Sequence, residues 1–262
     1  MAFSEKWLTL REQSDHASRD SQLLAQAIAV SGENPVIVDL GSGTGSTVRA
    51  LAPFLPENAK WRLVDNDQSL LEVASAELAE RATLHPVDIA DLNNLPLQDA
   101  TLVTASALID LVSRQWLEEF AERVQVPVYF ALSYDGAMNW IPDNPLDNSI
   151  TEAFNNHQRN DKGFGSALGP DSVSVAEEVF KAAGFEVFKA PSPWQLGPTE
   201  TELQQALVQG IAEAALEAGE QDALAWGNNR VNLAYETECI IGHGDILAVP
   251  RNSELGAQHA SN

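Results

Sequence analysis

The sequence predicts an α/β protein with a doubly wound, mostly parallel sheet. Strand and helix patterns alternate from residue 35 to about residue 190, and this alternation is typical of parallel sheets. The first strand, Val36 to Leu40, is almost continuously apolar, as central parallel strands are when helices cover both faces. The chain has 262 residues, 44% of them hydrophobic, which suits one large core.

The predicted elements follow one another in a regular order. Two helices are expected before the sheet, over residues 3–32, with Asp20 as the cap of the second and Gly32 just after its end. Strands are predicted at residues 35–40, 60–65, 82–88, 99–110, 126–135, 185–194 and 239–250. Helices are predicted at residues 45–54, 68–81, 113–124, 145–159, 171–184, 199–219 and 222–238.

The chain is predicted to form one main domain with additions. Residues 1–34 form a helical cover, residues 35–251 the main domain, and residues 252–262 a frayed tail. Residues 136–170 are rich in Asn, Pro and Gly, and a connection of this length is typical of a lid or substrate-binding loop. Residues 199–236 form a helical insert, whose apolar face either packs on the domain itself or makes a lid or dimer contact.

The composition limits the classes of partner. A formal net charge of −23 disfavours nucleic acid, because such a surface repels phosphate backbones. High solubility, or life in salty water, explains this charge better than a specific basic partner does. No apolar run is long enough for a membrane helix, and the polar N-terminus is not typical of a signal peptide. The single cysteine, Cys239, is expected to be a buried strand residue and suits a reducing cytoplasm. We therefore expect a cytoplasmic protein.

A glycine loop follows the first strand. Gly41, Gly43 and Gly45 occupy alternate positions. A dinucleotide-binding loop has the pattern G-x-G-x-x-G, and Ser46 occupies the position of its third glycine. The loop contains no lysine, so it does not match a P-loop. Asp39 would repel a pyrophosphate but would stabilise an ammonium group. The loop therefore suits a ligand with a cationic amino-acid head.

Acidic residues end the next two strands. Asp65 ends the second strand, where an acid in a doubly wound sheet accepts hydrogen bonds from ribose hydroxyls. Asp67 is better placed to cap the following helix. Asp88 ends the third strand and could accept a hydrogen bond from an adenine amino group. The three acids indicate an adenosine with an amino-acid head.

This set of motifs resembles the class I S-adenosylmethionine (SAM)-dependent methyltransferases over residues 35–190 and the last strand. VDLGSGTG, VDNDQSLL, VDIADL and TASALIDLV resemble the motifs at the first four strands of that family. The resemblance implies a Rossmann-like sheet of seven strands in the order 3-2-1-4-5-7-6, with the last strand antiparallel, and S-adenosyl-L-methionine as cofactor. It implies that the cofactor contacts Asp39, Gly41, Ser42, Gly43, Thr44, Gly45, Asp65, Asn66, Asp88, Ile89, Ser106, Ala107 and Leu108.

Two departures from the family pattern narrow this interpretation. The family usually joins its last two strands by a tight hairpin, whereas residues 199–236 intervene here. The fourth-strand segment lacks the Asn-Pro-Pro-aromatic signature of enzymes that methylate amino groups of nucleobases and glutamine. The N-terminal helices are expected to cover the cofactor, with Arg11 or Arg19 pairing with its carboxylate. Arg19 is the candidate for this contact, although a solvent-facing arginine is equally consistent with the pattern.

The acceptor site is expected beyond the ends of the fourth and fifth strands. Catalytic candidates are His157, Tyr134 and Asp135; histidine is the residue type whose ordinary pKa lies near neutrality. Substrate-binding candidates are Asp110, Trp140, Asn155, Asp161 and Trp194. Each also fits a structural role in a turn, a loop or the core. The five histidines lack paired spacing, so no metal site is predicted.

The sequence therefore predicts an enzyme that transfers the sulfonium methyl group by in-line displacement to O, N or C of a small molecule. We expect no nucleic acid or membrane partner, and a monomer or homodimer. Two alternatives stay open from the residues alone. One is an NAD-dependent dehydrogenase, which Asp39 and Ser46 disfavour. The other is a non-catalytic SAM-binding subunit that acts through its inserted helices.

Overall fold

One mixed sheet organises the protein in the computed structural model, which describes residues 4–76 and 81–251. Within these ranges the strands are β1 (Val36–Leu40), β2 (Lys60–Asp65), β3 (Ala82–Pro86), β4 (Leu102–Ser106), β5 (Val128–Ile141), β6 (Phe185–Pro191), β7 (Trp194–Leu196) and β8 (Glu238–Pro250). The order is β3-β2-β1-β4-β5-β8-β6, and β7 also pairs with β8. Strands β1 to β5 are parallel, whereas β8 is antiparallel to its neighbours. The predicted order is confirmed, but the strand expected over 185–194 is divided in two.

The helices alternate with the strands as predicted. They are α1 (Glu5–Ser18), α2 (Ser21–Val30), α3 (Ser46–Leu51), α4 (Gln68–Ser75), α5 (Arg114–Arg123), α6 (Asp147–Gln158), α7 (Ser172–Ala182), α8 (Thr201–Glu217) and α9 (Ala223–Leu233). The Asp20 and Asp67 side chains accept hydrogen bonds from backbone N–H groups of the first turns of α2 and α4, which confirms both predicted caps. The predicted end of α4 and the tail over 252–262 fall on residues outside the described ranges.

Two apolar cores cover the two faces of the sheet. Alternate strand residues such as Val38 and Val103 pack against α5 and α7, while Ile37 and Leu102 pack against α2, α3 and α4. This alternation follows from the two-residue period of a strand. The sheet is therefore doubly wound, with helices on both sides.

A third core lies beyond the carboxyl end of the sheet. Strand β5 was expected to end at Asp135, but it continues to Ile141 and pairs with β8 over residues 238–241. Residues 136–141 are thus strand rather than loop, and β-bulges interrupt the pairing before Met138. The extended strands pack against α6, α8 and α9 through buried side chains that include Trp140, Trp226 and Ile211.

Arg230 anchors the inserted helices to this third core. Its side chain is 1% exposed, donates a 2.5 Å hydrogen bond from Nη2 to Asp147 and another of 2.8 Å to the Pro142 carbonyl. The guanidinium also lies 5.2 Å from the centre of the Trp140 ring. Trp226 donates a 2.7 Å hydrogen bond to the other Asp147 oxygen. Helices α6 and α9 are therefore joined through one carboxylate that is only 13% exposed.

Replacing Arg230 by methionine should destabilise the fold, because it leaves the Asp147 carboxylate buried without its cation. We expect Arg230→Met to lower the free energy of unfolding by about 3 to 5 kcal/mol. The exposed Arg123→Met, which removes only a surface pair with Glu119, should cost at most about 1 kcal/mol. Urea denaturation measures both variants. Equal losses in the two would contradict the anchoring role of Arg230.

Candidate active site

The glycine loop connects the end of β1 to the start of α3. Gly43 and Gly45 have φ angles of +50° and +85°, which side chains rarely adopt. A Cβ atom at Gly43 would lie 3.1 Å from Leu8 Cδ1, and one at Gly45 would lie 3.1 Å from Ala74 Cβ. Glycine is therefore required here both by the backbone and by the helices that approach the loop.

Asp65 holds the glycine loop in place at the end of β2. Its Oδ2 accepts a 2.9 Å hydrogen bond from the Gly43 N–H, and its Oδ1 accepts one of 2.9 Å from the Asp67 N–H. On the same loop, Ser42 donates from Oγ to the Asp39 carbonyl, and the Thr44 carbonyl accepts from Arg49. The carboxylate is only half-buried, so it can also face a ligand above the loop.

The end of β3 is more open. Asp88 is exposed, and its Oδ1 accepts a 2.9 Å hydrogen bond from the Ala90 N–H, which forms a local turn. Ile89 is half-buried, and its carbonyl accepts a 2.9 Å hydrogen bond from Trp116 Nε1. Asn66, after β2, is exposed. These side chains stand at the same sheet edge as Asp65, because Asp65 pairs with Pro86 in the parallel register.

Arg19 reaches from the α1–α2 junction to the end of β4. It is 7% exposed, and its Nη2 donates a 2.8 Å hydrogen bond to Ser106 Oγ, which also hydrogen-bonds to Thr47. Its Nε and Nη1 atoms are buried with no hydrogen-bond partner among the described residues. Ala107 then turns the chain with a φ of +51°, and Leu108 packs below Gly41. Unpartnered guanidinium nitrogens of this kind suit an anionic ligand group.

Asp39 is the buried acid of the site. Thr104 donates a 2.7 Å hydrogen bond to its Oδ1, while Oδ2 has no partner among the described residues. Burial raises the pKa of Asp39 to about 7, against the opposing effects of the Thr104 hydrogen bond and the Arg19 charge. A cation facing Oδ2 would favour the ionised carboxylate. Asp39 and Arg19 thus place opposite charges near each other at the same edge of the sheet.

Helix α1 lies across the glycine loop and α3. The Glu12 carboxylate pairs with Arg49 of α3 at 2.5 and 2.7 Å, and His16 Nε2 lies 3.0 Å from the Ser46 carbonyl. Leu8 packs on the loop itself at Gly43. The first helix therefore covers the carboxyl edge of the sheet.

A cavity of about 400 Å³ opens beside the end of β4. Its apolar wall includes Trp7, Ala107, Phe154, Trp194, Leu207 and Ile211. Its polar groups include Arg11, Asp110, Tyr134, His157, Lys162 and His243. The lining comes from α1, from the ends of β4 and β5, from α6 and α8, and from β8. The cavity therefore exists only when the cover and both inserts pack on the sheet.

Several predicted acceptor residues do line this cavity. Tyr134 donates from its hydroxyl to Asn155 Oδ1 at 2.7 Å, and burial raises the pKa of that hydroxyl. Asn155 does not line the cavity; it holds Tyr134 from behind and donates to the Gly136 carbonyl at 3.0 Å. His157 Nε2 lies 2.9 Å from Glu217, and its Nδ1 is buried without a partner among the described residues. Trp194 donates a 3.0 Å hydrogen bond to Asp15.

Besides Asn155, three predicted acceptor residues lie outside the lining of the cavity, and these placements correct the sequence interpretation. Asp135 is exposed and accepts a hydrogen bond from the Ala137 N–H at a bulge of β5. Asp161 is exposed and accepts from the Gly163 and Gly165 N–H groups, which closes a turn. Trp140 faces the third core because β5 continues past its predicted end. The two aspartates form local turn or bulge hydrogen bonds, and the tryptophan packs in a core, so none of the three side chains lines the cavity.

His243 and Lys162 were not selected from the sequence. His243 of β8 pairs with Tyr134 of β5 in the strand register, and its ring lies 5.1 Å from that of Trp194. Its Nδ1 lies 3.0 Å from the Ile241 carbonyl, which can only accept, so Nε2 is the unprotonated nitrogen. Burial, and the nearby Arg11 charge, lower the pKa of His243 to about 3, so the ring is neutral. The sequence signal that could have identified His243 is the presence of a histidine within an otherwise apolar strand.

Comparisons with known proteins were consistent with this geometry. Residues 37–126 match a family model described as a methyltransferase domain. The chain is similar to the cyclopropane synthase MmaA2 from Mycobacterium tuberculosis, with a TM-score of 0.54 and 10% identity over 94% of each chain. It is also similar to the YcgJ protein from Bacillus subtilis, with a TM-score of 0.53 and 15% identity, covering 89% of this chain and 100% of that chain. No curated protein matched the sequence.

Residues 37–126 are a methyltransferase domain, on the fold of the class I SAM-dependent methyltransferases. The matched domain and the fold together support a methyltransferase enzyme. The predicted resemblance is confirmed, and the match to a methyltransferase domain disfavours the dehydrogenase alternative. No group of three or more side chains suited to a metal ion occurs within residues 4–76 and 81–251. No helix in that part of the chain is long and apolar enough to cross a membrane.

The predicted position of Asp39 at the ammonium group of SAM, together with its raised pKa, should make SAM binding sensitive to pH. A carboxyl that is partly protonated near neutrality must lose its proton when it faces a cation, so low pH weakens binding. We expect SAM affinity to rise between about pH 5.5 and pH 7.5, by at most about tenfold per pH unit. Calorimetric titration in buffers of different ionisation enthalpy measures both the affinity and the released proton.

The matched variants are Asp39→Asn and Asp222→Asn, which remove the same charge from a buried and an exposed site. Asp39→Asn should weaken SAM binding and flatten its pH dependence, whereas Asp222→Asn should preserve both. A wild-type affinity that is constant over this pH range would rule out the assignment of Asp39 to the ammonium group.

Proposed function

We propose that this enzyme methylates a small molecule bound in the cavity beside the end of β4. The supporting observation is the position of that cavity: Ala107, which follows β4, lines it together with Asp110 of the same segment. Its volume, about 400 Å³, lies within the range of small-molecule pockets, about 300 to 1,000 Å³. Helices α1, α6 and α8 contribute to its walls, which favours a compact acceptor over a polymer.

Cofactor contacts are proposed for the residues that the family resemblance implied. Asp39 Oδ2 and the Arg19 nitrogens lack partners and carry opposite charges, which fits the ammonium and carboxylate of an amino-acid head. Asp65 stands at the end of β2 with its carboxylate half-buried, which fits a pair of ribose hydroxyls. Asp88, exposed at the end of β3, fits an adenine amino group.

The residues of the chain contribute mainly position and exclusion of water. When bound, SAM supplies a methyl group on a sulfonium sulfur, and the displaced electron pair remains on that sulfur. Trp7, Phe154 and Trp194 make the cavity apolar, which limits competing water around the acceptor. Asp110 Oδ1 and His157 Nδ1 are buried without partners among the described residues, and each can take a proton from an acceptor atom.

The N-terminal helices and the inserted helices have separate roles in this proposal. We infer that α1 and α2 close the cofactor site, and that α6, α8 and α9 shape the acceptor site. A cytoplasmic monomer or homodimer is the expected form. Burial raises the pKa of the single cysteine, Cys239, to about 12, so the thiol is unreactive.

Removal of the Asp65 carboxylate should weaken cofactor binding. Asp65→Ala loses a charge-assisted acceptor for ribose hydroxyls, so SAM and S-adenosylhomocysteine should each bind about tenfold to a hundredfold more weakly. Isothermal titration measures both affinities. The control is Asp91→Ala, which removes a similar turn-forming carboxylate from the exposed segment after β3. Unchanged affinity in Asp65→Ala would mean that the cofactor site lies elsewhere.

Transfer of label from methyl-labelled SAM identifies the class of acceptor. Wild-type enzyme should label a component of a protein-free metabolite extract, and should leave purified nucleic acid and protein fractions unlabelled. The physical reason is the cavity, which admits a small molecule but is walled by three helices. Label recovered only in a nucleic acid or protein fraction would overturn the small-molecule assignment.

A further inference from the structure

The charged groups that face the cavity divide into paired and unpaired ones. Arg11 is held bidentately by Asp15, with Nε–Oδ2 and Nη2–Oδ1 distances of 2.8 and 3.1 Å. His157 lies against Glu217, and His243 is neutral. These groups have their charge balanced by the protein itself. They therefore impose little charge preference on a ligand.

Asp110 and Lys162 line the cavity with opposite charges that attract each other at a distance, and neither directly contacts an opposite charge among the described residues. The Oδ1 atom of Asp110 is buried with no hydrogen-bond partner among the described residues, while its main-chain carbonyl is fixed by the Gly169 N–H at 2.9 Å. Lys162 is partly buried, and its Nζ makes one long hydrogen bond, 3.4 Å, to the His157 carbonyl. Within the described part of the chain, neither side chain forms an ion pair. Partial burial of unpaired charges is unfavourable, so each is expected to meet an opposite charge.

We propose that the acceptor is a small zwitterion, with a protonated amine at Asp110, an anionic group at Lys162 and an apolar body against Phe154, Leu207 and Ile211. This inference rests on the proposed function and adds the chemical class of its substrate. The two charged residues come from different elements, the end of β4 and the loop after α6, and both line the same cavity. A ligand of this class satisfies both at once.

Ligands with one charge or none fit less well. An anion alone would leave Asp110 unpaired and would approach a protein of net charge −23 against repulsion. A cation alone would leave Lys162 facing a like charge. A neutral ligand would displace water from both charges without replacing its hydrogen bonds. Because a zwitterion has no net charge, the net negative charge of the protein neither repels nor attracts it appreciably at long range.

The amine is the end that reacts. Asp110 and Ala107 belong to the segment after β4, where the methionine part of SAM is proposed to bind, whereas Lys162 is on the loop after α6. The ammonium gives one proton to Asp110 Oδ1, and the freed nitrogen lone pair forms the bond to the methyl carbon. The S–C electron pair remains on sulfur, and the product is an N-methylated ammonium. Burial raises the pKa of Asp110 to about 6, which makes the carboxylate a better proton acceptor.

The charge of the labelled product tests the proposal. Wild-type enzyme is incubated with methyl-labelled SAM and a protein-free metabolite extract, and the products are applied to ion-exchange resins. The labelled product should bind a cation exchanger at acid pH and an anion exchanger at alkaline pH. A product that binds only one resin, or neither, would overturn the zwitterion while leaving the proposed function intact. Binding of SAM without transfer of label to any fraction would overturn both.

Kinetic measurements on matched variants test whether the anionic end of the acceptor binds at Lys162 and the amine end at Asp110. With the purified labelled fraction as acceptor, Lys162→Met should raise KM about tenfold or more, with kcat and SAM affinity near those of wild type. Lys162→Arg should recover part of the loss. Asp110→Asn should lower kcat with SAM affinity unchanged. The control is Lys181→Met, an exposed lysine on α7. A KM in Lys162→Met equal to that of Lys181→Met would refute the anionic subsite.

Discussion

The parallel register of the first four strands is the constraint on which the site depends. Leu40 pairs with Val64 on one side and with Ala105 on the other, so the carboxyl ends of β1, β2 and β4 lie at the same level of the sheet. Asp65, one residue further, pairs with Pro86 and brings the end of β3 to the same edge. Because parallel strands have the same direction, each following loop opens on the same side of the sheet. Acids far apart in sequence thereby lie at one edge of the sheet.

A buried carboxylate then connects this edge to the N-terminal cover. Asp245 of β8 accepts hydrogen bonds from the Tyr129 hydroxyl at 2.9 Å, the Leu132 N–H at 2.9 Å and the Asp20 N–H at 3.1 Å. Leu132 has a φ of +57°, a strained conformation that its hydrogen bond to Asp245 helps to maintain. Asp20 follows Arg19 in the chain. The position of that arginine at the end of β4 therefore depends on a residue near the opposite end of the sequence.

The two halves of the active site are built by different physical means. The cofactor side uses backbone turns and strand ends, which any chain with these motifs can form locally. The acceptor side uses a separate apolar core, in which the extensions of β5 and β8 carry α6, α8 and α9. Burial of the Arg230–Asp147 pair joins these helices, although desolvating two charges offsets much of its attraction. Changes in the inserts can therefore alter the acceptor without disturbing the cofactor side.

The sequence alone determined the alternation of strands and helices, the helix caps at Asp20 and Asp67, and the acids at the strand ends, whereas the sheet order was implied by the family resemblance. These features have local causes: a strand repeats every two residues, a helix begins at a capping side chain, and a glycine permits a positive φ. Only the tertiary structure decided which side chains surround the acceptor. Asp135 lies at a bulge and Trp140 in the third core because β5 continues past its predicted end, and Asp161 closes a turn after α6. Lys162 and His243 face the cavity because packing between distant elements places them there, and no spacing along the chain encodes that contact.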